Sequence, residues 1–308
     1  MYIGRFAPSP TGPLHFGSLV AAVASFLDAR HHEGRWLLRM EDLDKPREQP
    51  GAAAAILHTL DRLALHWDGP VVYQSGRLEA YREAIDRLVS TDHAYACACT
   101  RREVADSALQ GCEGPIYPGT CRAGLAPGQH GRSVRVRVDG PTIVFDDRLQ
   151  GRCTQDLSTE IGDFVALRAD GIVAYQLAVV VDDAAQGVTH VVRGSDLLSS
   201  TARQIHLQRL LGYATPQYLH LPVAVNAAGK KLSKQTRAAP VDARSATASA
   251  ILAFLGQTLP PAATDMRLEE LWGHAARAWD PRRIPKCQTI RVHAQGRRGQ
   301  PAPSAIRP

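Results

Sequence analysis

Residues 7–18, APSPTGPLHFGS, lie between a short apolar run at residues 2–6 and a helical pattern that begins near Leu19. The prolines stiffen this loop, and its glycines let a ligand come close to the backbone. In a parallel sheet, a loop between a strand and the next helix lies at the edge where ligands bind. The free N–H groups and the positive dipole end of a helix start attract phosphate. The stretch therefore predicts a phosphate site in which His15 donates a hydrogen bond.

Strand-like and helical patterns alternate on both sides of a central interruption, which indicates a parallel sheet. The predicted strands are residues 2–6, 36–40, 71–73, 94–99, 173–181, 188–192 and 221–225. The predicted helices are residues 19–30, 52–65, 78–89, 197–211 and 247–255. The fold class expected from this order is α/β, with a Rossmann-like, doubly wound parallel sheet.

The central interruption differs in composition from the rest. Residues 100–132 are rich in Gly, Pro and Cys, and residues 133–138, SVRVRV, alternate as a half-exposed antiparallel strand does. We expect residues 142–145 to pair with that strand. The interruption is therefore predicted to be an inserted, small α+β subdomain.

These patterns divide the chain into four predicted parts. The two halves of the catalytic domain are residues 1–99 and 171–256, and the inserted subdomain is residues 100–170. Residues 257–308 are expected to be a short C-terminal segment with a basic, disordered tail. Residues 281–308 carry seven Arg or Lys and no acidic residue, whereas the net charge of the whole chain is only +6. We hypothesise that this tail adds nonspecific contacts to phosphates.

Two compositional features limit the possible classes of protein. No apolar run is long enough to cross a bilayer, and the first residues lack the basic and apolar segments of a signal peptide. We therefore expect a cytoplasmic protein without membrane contact.

Four of the six cysteines lie between residues 97 and 121. In a reducing compartment such a cluster indicates a structural zinc site before disulfides, and ligand chemistry alone favours four thiolates from Cys97, Cys99, Cys112 and Cys121. Ordinary reduced thiols without metal are the alternative.

A second loop, residues 229–235, GKKLSKQ, follows the last predicted strand. Lys231 and Lys234 flank a serine there and could neutralise a polyphosphate during a reaction. Together, PSPTG at residues 8–12, HFG at 15–17 and KLSK at 231–234 resemble the two signatures of class I aminoacyl-tRNA synthetases. RMEDLDKPR at residues 39–47 is similar to the segment that marks the glutamyl branch.

The resemblance has departures. Ser18 replaces the second histidine of the first signature, and Leu232 and Gln235 replace the usual Met and Ser of the second. The α/β pattern ends near residue 256, which leaves too little chain for the helical anticodon-binding region of glutamyl-tRNA synthetases. The chain therefore resembles the glutamyl-Q tRNA(Asp) synthetase family. Its most similar stretches are residues 175–183, YQLAVVVDD, and 187–198, GVTHVVRGSDLL.

This resemblance implies a function. The family activates L-glutamate with ATP and transfers it to queuosine, a modified base in the anticodon of tRNA(Asp). We accordingly expect ATP, L-glutamate and queuosine-bearing tRNA(Asp) as partners, Mg²⁺ with the ATP, one structural Zn²⁺ per chain, and a monomer.

The resemblance also implies site residues. Arginine binds carboxylates and a glutamate side chain binds ammonium, so charged residues at predicted strand ends suit a glutamate pocket. That pocket is expected to contain Arg5, Ala7, Ser9, Glu41, Tyr175 and Arg193. The ATP site is expected to contain His15, Gly17, Asp196, Lys231 and Lys234, of which His15 and Lys234 are the catalytic pair. The zinc ligands implied are Cys97, Cys99, Tyr117 and Cys121, with Cys112 as a rival to Tyr117. Asp44 and Arg47 are expected to form a structural ion pair.

Two other functions fit the same residues. A truncated glutamyl-tRNA synthetase would charge the 3′ end of tRNA(Glu) with the same activation site. A non-catalytic, RNA-binding paralogue is the third possibility. His15, Glu41, Arg193 and Lys234 argue against it, because a protein without activity has no need of the charges that hold ATP and glutamate.

Overall fold

A three-stranded parallel sheet opens the fold. The computed structural model describes residues 1–107, 110–111, 114–140, 142–231, 245–261 and 263–292. The first elements are β1 (Ile3–Phe6), α1 (Phe16–His31), β2 (Arg35–Met40), α2 (Ala52–Arg62), β3 (Val72–Tyr73) and α3 (Leu78–Ser90). β2 pairs in parallel with both β1 and β3, so the carboxyl ends of the three strands meet at one edge. The predicted alternation of strand and helix is confirmed in this part.

The middle of the chain contains antiparallel strand pairs that belong to three different sheets. Its elements are β4 (Ala94–Cys97), α4 (Arg101–Ser107), β5 (Gln110–Gly111), β6 (Gly114–Pro115), β7 (Ser133–Val136), β8 (Ile143–Asp147), β9 (Gly151–Gln155), α5 (Leu157–Glu160) and β10 (Phe164–Leu167). β7 lies between β4 and β10 and pairs antiparallel with both. The prediction that residues 94–99 belong to the parallel sheet is therefore wrong. A short apolar run looks the same in either kind of sheet, and the partner strand lies nearly 40 residues away.

The expected pairing of residues 142–145 with residues 133–138 is also wrong. β8 pairs antiparallel with β9, the next strand along the chain. Asp147 ends β8, and its side chain accepts hydrogen bonds from the backbone N–H groups of Leu149 and Gln150 at 2.9 and 2.8 Å. An aspartate that caps the backbone in this way stabilises a tight turn, which folds β9 back onto β8.

A second parallel arrangement follows. Its elements are α6 (Tyr175–Ala185), β11 (His190–Gly194), α7 (Leu198–Leu211), β12 (Gln217–Leu221), β13 (Val223–Val225) and α8 (Ser245–Phe254). β12 pairs in parallel with β11 and meets β8 in parallel at Asp147. Thr189, just before β11, donates its backbone N–H to Ile3 of β1 at 2.9 Å, so β11 lies beside β1.

The predicted strand at residues 173–181 is a helix, α6. Its residues 177–183 are all buried, so its apolar residues show no amphipathic period. The sequence of a helix that is covered on all sides resembles that of a buried strand, because polar residues recur with the helical period only where one face of the helix is exposed.

The C-terminal part adds two elements that the sequence does not predict, α9 (Leu268–Arg277) and β14 (Thr289–Arg291). β14 pairs in parallel with β13, and Ile290 at its centre is buried. Part of the predicted basic tail is therefore an ordered neighbour of the sheet. The cations of residues 293–308 lie outside the described residues, and a deletion that tests their phosphate contacts should begin after residue 292.

Helix α1 organises the core. It contacts β1, β2 and β11 as well as α8 and α9, and ten of its residues are buried. Asp28 lies in this apolar surrounding, and its carboxylate accepts hydrogen bonds from Tyr2, Arg148 and Trp279. A buried carboxylate needs such partners, since an unpaired charge in the interior is costly.

Candidate active site

A cleft of about 900 Å³ opens at the carboxyl ends of β1, β2 and β11. Parallel strands place their C-terminal residues and the loops that follow at one edge, so residues from distant parts of the chain meet there. The predicted site residues that line the cleft are Arg5, Ala7, Ser9, His15, Gly17, Glu41, Tyr175, Arg193, Asp196 and Lys231. Lys234 lies outside the described residues.

His15 forms the N-cap of α1. Its Nδ1 accepts a hydrogen bond from the backbone N–H of Ser18 at 3.3 Å, and its Nε2 lies 3.0 Å from the Ser18 hydroxyl. Because Nδ1 accepts, the proton of the neutral ring is on Nε2. The cap holds the imidazole over the first turn of the helix, beside the positive end of the helix dipole.

Buried ion pairs underlie the cleft. Both carboxylate oxygens of Asp183 accept hydrogen bonds from Arg5, at 3.3 and 3.4 Å. Arg39, which is fully buried, binds the same carboxylate at 2.7 Å and lies 3.7 Å from Glu41. Burial favours the neutral acid, but Arg5 and Arg39 outweigh it and lower the pKa of Asp183. The network fixes Arg5 and Glu41 at the base of the cleft.

Glu41 lies at the bottom of the cleft, and its protonation depends on its surroundings. Its side chain is 11% exposed and lines the cleft. Burial raises the pKa of Glu41 to about 7, and the nearby Arg39 and Arg5 offset this only in part. A cation that enters the cleft would therefore stabilise the ionised form of Glu41, which burial disfavours.

Arg193 is held on three sides. Its Nε donates to His220 at 3.0 Å, and its Nη2 donates to the Thr201 hydroxyl at 2.8 Å and the Leu197 carbonyl at 3.3 Å. Its Nη1 lies 3.4 Å from the Tyr175 hydroxyl. Nη1 of Arg193 and the hydroxyl of Tyr175 thus lie side by side at the cleft, an arrangement that suits a carboxylate ligand.

Asp196 and Lys231 form an ion pair in the wall of the cleft. The Lys231 ammonium lies 2.5 Å from the Asp196 carboxylate. Lys231 forms an isolated bridge with Val225 at the end of β13, so Lys231 lies next to the sheet. An anionic ligand at this wall would compete with Asp196 for the lysine.

The rim of the cleft contains a charge cluster. Arg47 and Asp44 form the expected ion pair at 2.7 Å, and Arg168, directly after β10, lies 3.4 Å from the same carboxylate. All three residues line the cleft. Asp44 therefore ties the segment after β2 to the end of β10, a contact that the sequence does not suggest.

Three thiols converge in the middle of the chain. The Sγ atoms of Cys97, Cys99 and Cys121 all lie within 4.8 Å of one another, and these residues could hold a metal ion. The Tyr117 hydroxyl lies 3.4 Å from Cys97 Sγ and 3.5 Å from Cys99 Sγ, and Cys99 Sγ lies 3.6 Å from Cys121 Sγ. Ligand bonds of about 2.0 to 2.3 Å put the donors of a tetrahedral zinc site about 3.3 to 3.8 Å apart. The cluster fits that geometry.

Arg135 supports the same cluster. Its Nε lies 3.4 Å from Cys97 Sγ, and its guanidinium lies over the Tyr117 ring at 3.9 Å. Burial alone would raise the pKa of Cys97, but hydrogen bonds with Tyr117 and Arg135 lower it to about 7. A thiolate is the form that binds metal. Cys112, the rival to Tyr117, lies outside the described residues.

Comparisons with known proteins agree with this geometry. Residues 3–255 match the family described as tRNA synthetases class I (E and Q), catalytic domain. The chain is 60% identical over 287 residues to the glutamyl-Q tRNA(Asp) synthetase of Aromatoleum aromaticum, with 92% of this chain and 91% of that protein covered. It is 56% identical over 297 residues to the protein of that name from Dechloromonas aromatica, with 95% and 99% covered.

The chain belongs to the glutamyl-Q tRNA(Asp) synthetase family.

Membership of the glutamyl-Q tRNA(Asp) synthetase family confirms the predicted enzyme class, an aminoacyl-tRNA-synthetase-like ligase of class I. The solved structure of a glutamate tRNA ligase from Elizabethkingia meningosepticum is 25% identical, with a TM-score of 0.79, and the match covers 96% of this chain and 68% of that one. The predicted α/β fold with a parallel sheet is thereby confirmed. In the described part of the chain, no helix is both long enough and apolar enough to cross a membrane.

Sequence reasoning missed the buried residues behind the cleft, which in this member of the glutamyl-Q tRNA(Asp) synthetase family hold the residues that line it. Arg39 and Asp183 support Arg5 and Glu41, and His220 and Asp147 support Arg193. A signal was present for one of them. Two adjacent aspartates at the end of an apolar run, in residues 175–183, indicate buried carboxylates that need arginine partners.

Proposed function

We propose that this protein activates L-glutamate with ATP and transfers it to queuosine in the anticodon of tRNA(Asp). The observation that carries the proposal is the set of charges in the cleft. Glutamate has two carboxylates and one ammonium, and the cleft offers the cations Arg5 and Arg193 and the anion Glu41. Family membership supports the choice of the anticodon base as acceptor.

The glutamate pocket is proposed to consist of Arg5, Ala7, Ser9, Glu41, Tyr175 and Arg193. Arg5 and Arg193 bind the carboxylates, and Glu41 binds the ammonium. Both arginines are 4% exposed, so their interactions with a ligand are poorly screened by water. Tyr175 adds a hydroxyl beside Arg193.

The ATP site is proposed to lie at the start of α1, with His15, Gly17, Asp196, Lys231 and Lys234. His15 and the N–H groups at the start of α1 bind phosphate oxygens. Lys231 leaves Asp196 for the phosphates. Mg²⁺ that arrives with ATP supplies further neutralisation of phosphate charge.

The reaction needs no covalent enzyme intermediate. A glutamate carboxylate oxygen attacks the α-phosphorus of ATP, the bond to the bridging oxygen of the β-phosphate breaks, and pyrophosphate leaves with the electron pair. The enzyme aligns the carboxylate and stabilises the charge that moves onto pyrophosphate. His15 and Lys234 are the proposed catalytic residues. The glutamyl group then passes to the queuosine base, and AMP is released.

We further propose that the cluster of thiols holds one structural Zn²⁺, with Cys97, Cys99, Tyr117 and Cys121 as ligands. The ligand distances and the free thiols support this assignment. The ion would fix β4 to the turn around Cys121 and stabilise a small subdomain inserted at residues 100–170. We also propose a monomer in the cytoplasm, as the sequence suggests.

Glutamate binding should depend on pH through Glu41. The ammonium of glutamate binds the ionised carboxylate, and the pKa of Glu41 in the free protein is raised to about 7. Below that pH the carboxyl is neutral, so kcat/KM for glutamate should fall up to about tenfold for each unit of pH. Above it, kcat/KM should reach a plateau. Glutamate-dependent exchange of pyrophosphate into ATP measures this profile.

The variant Glu41→Gln should have a lower kcat/KM that no longer falls below pH 7. Glu48→Gln is the matched control, because Glu48 is a carboxylate at the same cleft with an ion pair to Lys45 at 2.7 Å. It should keep the wild-type profile. An acid limb that persists in Glu41→Gln would rule out Glu41 as its origin.

The test of the proposed function is transfer of labelled glutamate to three RNAs in parallel. These are tRNA(Asp) with queuosine, tRNA(Asp) without it, and tRNA(Glu). We expect label only on the first. Label on tRNA(Glu) would instead indicate a charging enzyme without an anticodon reader, and no pyrophosphate exchange at all would indicate the non-catalytic paralogue.

A further inference from the structure

Three neighbouring strands bring a buried row of polar residues to the wall of the cleft. Arg193 of β11 lies directly across from His220 of β12, and Asp147 ends β8 on the other side of β12. Each of these residues is at most 4% exposed. Arg193 Nε lies 3.0 Å from His220 Nε2, and His220 Nδ1 lies 2.7 Å from Asp147 Oδ2.

The hydrogen bonds of this row allow one arrangement of protons. A guanidinium only donates, so His220 Nε2 must be an acceptor for Arg193. The proton of the neutral imidazole is therefore on Nδ1, from which it is donated to Asp147. Burial lowers the pKa of His220 to about 4, so the ring is neutral at physiological pH.

Asp147 is itself fixed by the backbone. Its carboxylate accepts hydrogen bonds from the N–H groups of Leu149, Gln150 and His220, at 2.8 to 3.2 Å. These bonds place the carboxylate independently of any ligand. The row therefore starts at a rigid turn and ends at a side chain that lines the cleft.

We propose that Asp147 and His220 are positioning residues that fix the rotation of the Arg193 guanidinium for substrate binding. The inference rests on the proposed function, in which Arg193 binds a carboxylate of glutamate. His220 holds Nε, and Thr201 and Leu197 hold Nη2, so Nη1 is directed to Tyr175 and the cleft. The carboxylate is then shared by Arg193 Nη1 and the Tyr175 hydroxyl.

Positioning of this kind matters because an arginine side chain has many rotamers. If the guanidinium becomes ordered only when the ligand binds, the loss of its conformational entropy makes binding weaker. A group that is already held in place binds without this loss, and a small misplacement of a charged contact is costly in a site with little water.

The variant Asp147→Asn tests this row of hydrogen bonds with almost no change in the shape of the side chain. The amide oxygen can still accept from the backbone of Leu149 and Gln150, while the amide nitrogen donates to His220 Nδ1. The imidazole proton is then forced onto Nε2, where it faces the Arg193 N–H, and two donors meet. We expect KM for glutamate in pyrophosphate exchange to rise about 10- to 100-fold, and KM for ATP to change less than about twofold.

Two substitutions of His220 provide a second test if Asp147→Asn does not fold. His220→Leu removes the acceptor and should raise KM for glutamate as much as Asp147→Asn does. His220→Gln keeps an acceptor and a donor and should restore most of the loss, to within about fivefold of wild type.

The matched control is Tyr218→Phe, on the same strand. It removes a buried hydrogen bond of 3.0 Å from Gln208 and should lower the melting temperature without raising KM for glutamate. The proposal is overturned if Asp147→Asn and His220→Leu leave KM for glutamate within twofold of wild type, or raise KM for both substrates alike. Wild-type protein without glutamate-dependent exchange would overturn the proposed function, and this inference with it.

Discussion

Arg193→Met should lower kcat/KM for glutamate in pyrophosphate exchange about 1,000-fold, which corresponds to about 4 kcal/mol. Methionine fills a similar volume, so the sheet should remain intact, but the substrate carboxylate then loses a cation that is only 4% exposed in the free protein. Binding of ATP, measured by equilibrium dialysis, should change little because Arg193 belongs to the proposed glutamate pocket and not to the proposed ATP site.

Arg168→Met is the control for this prediction. Arg168 is an arginine of the same cleft, but it binds Asp44 and Asp170 at the rim. Its loss should change kcat/KM for glutamate less than about tenfold, since an exposed ion pair contributes little. If Arg193→Met stays within tenfold of wild type, Arg193 does not bind the carboxylate.

Purified protein that has not met a chelator should contain about one zinc per chain, and Cys97→Ser or Cys121→Ser should lose it. Structural zinc contributes directly to folding, so the melting temperature should fall by about 10 °C or more in these variants. Zinc content is measured by atomic spectrometry and the melting temperature by thermal denaturation.

Cys153→Ser is the matched control, because Cys153 is a free cysteine outside the metal cluster. It should keep the zinc. Tyr117→Phe and Cys112→Ser then identify the fourth ligand: we expect weaker zinc retention against a chelator only in the tyrosine variant. Freshly prepared wild-type protein without zinc would refute the proposed metal site.

The charged residues that line the cleft could be predicted from the sequence because they follow local rules. Arg5 and Glu41 lie at the ends of apolar runs, and parallel strands collect such ends at one edge. His15 lies where a loop meets a helix start. These features need only the order of strands and helices, which the alternation of patterns indicates.

The buried supports could not be predicted in this way. The partner of Arg5 is Asp183, which is 178 residues away, and nothing in either local sequence identifies the other. The same holds for His220 and Asp147, which are 73 residues apart and meet only because β12 lies beside β8. β14 was missed for another reason, since three residues are too few to show a period.

The pairing of β13 with β14 has a consequence for the nascent chain. A ribosome releases residues in order, so Val223–Val225 stays without its parallel neighbour until Thr289–Arg291 has left the exit tunnel. An apolar strand with an unpaired edge is a template for wrong pairing between chains. A pause in translation after Val223–Val225 has left the tunnel, but before Thr289–Arg291 has left it, should therefore expose that edge to chaperones. The wall of the cleft next to Lys231 is therefore completed only late in synthesis.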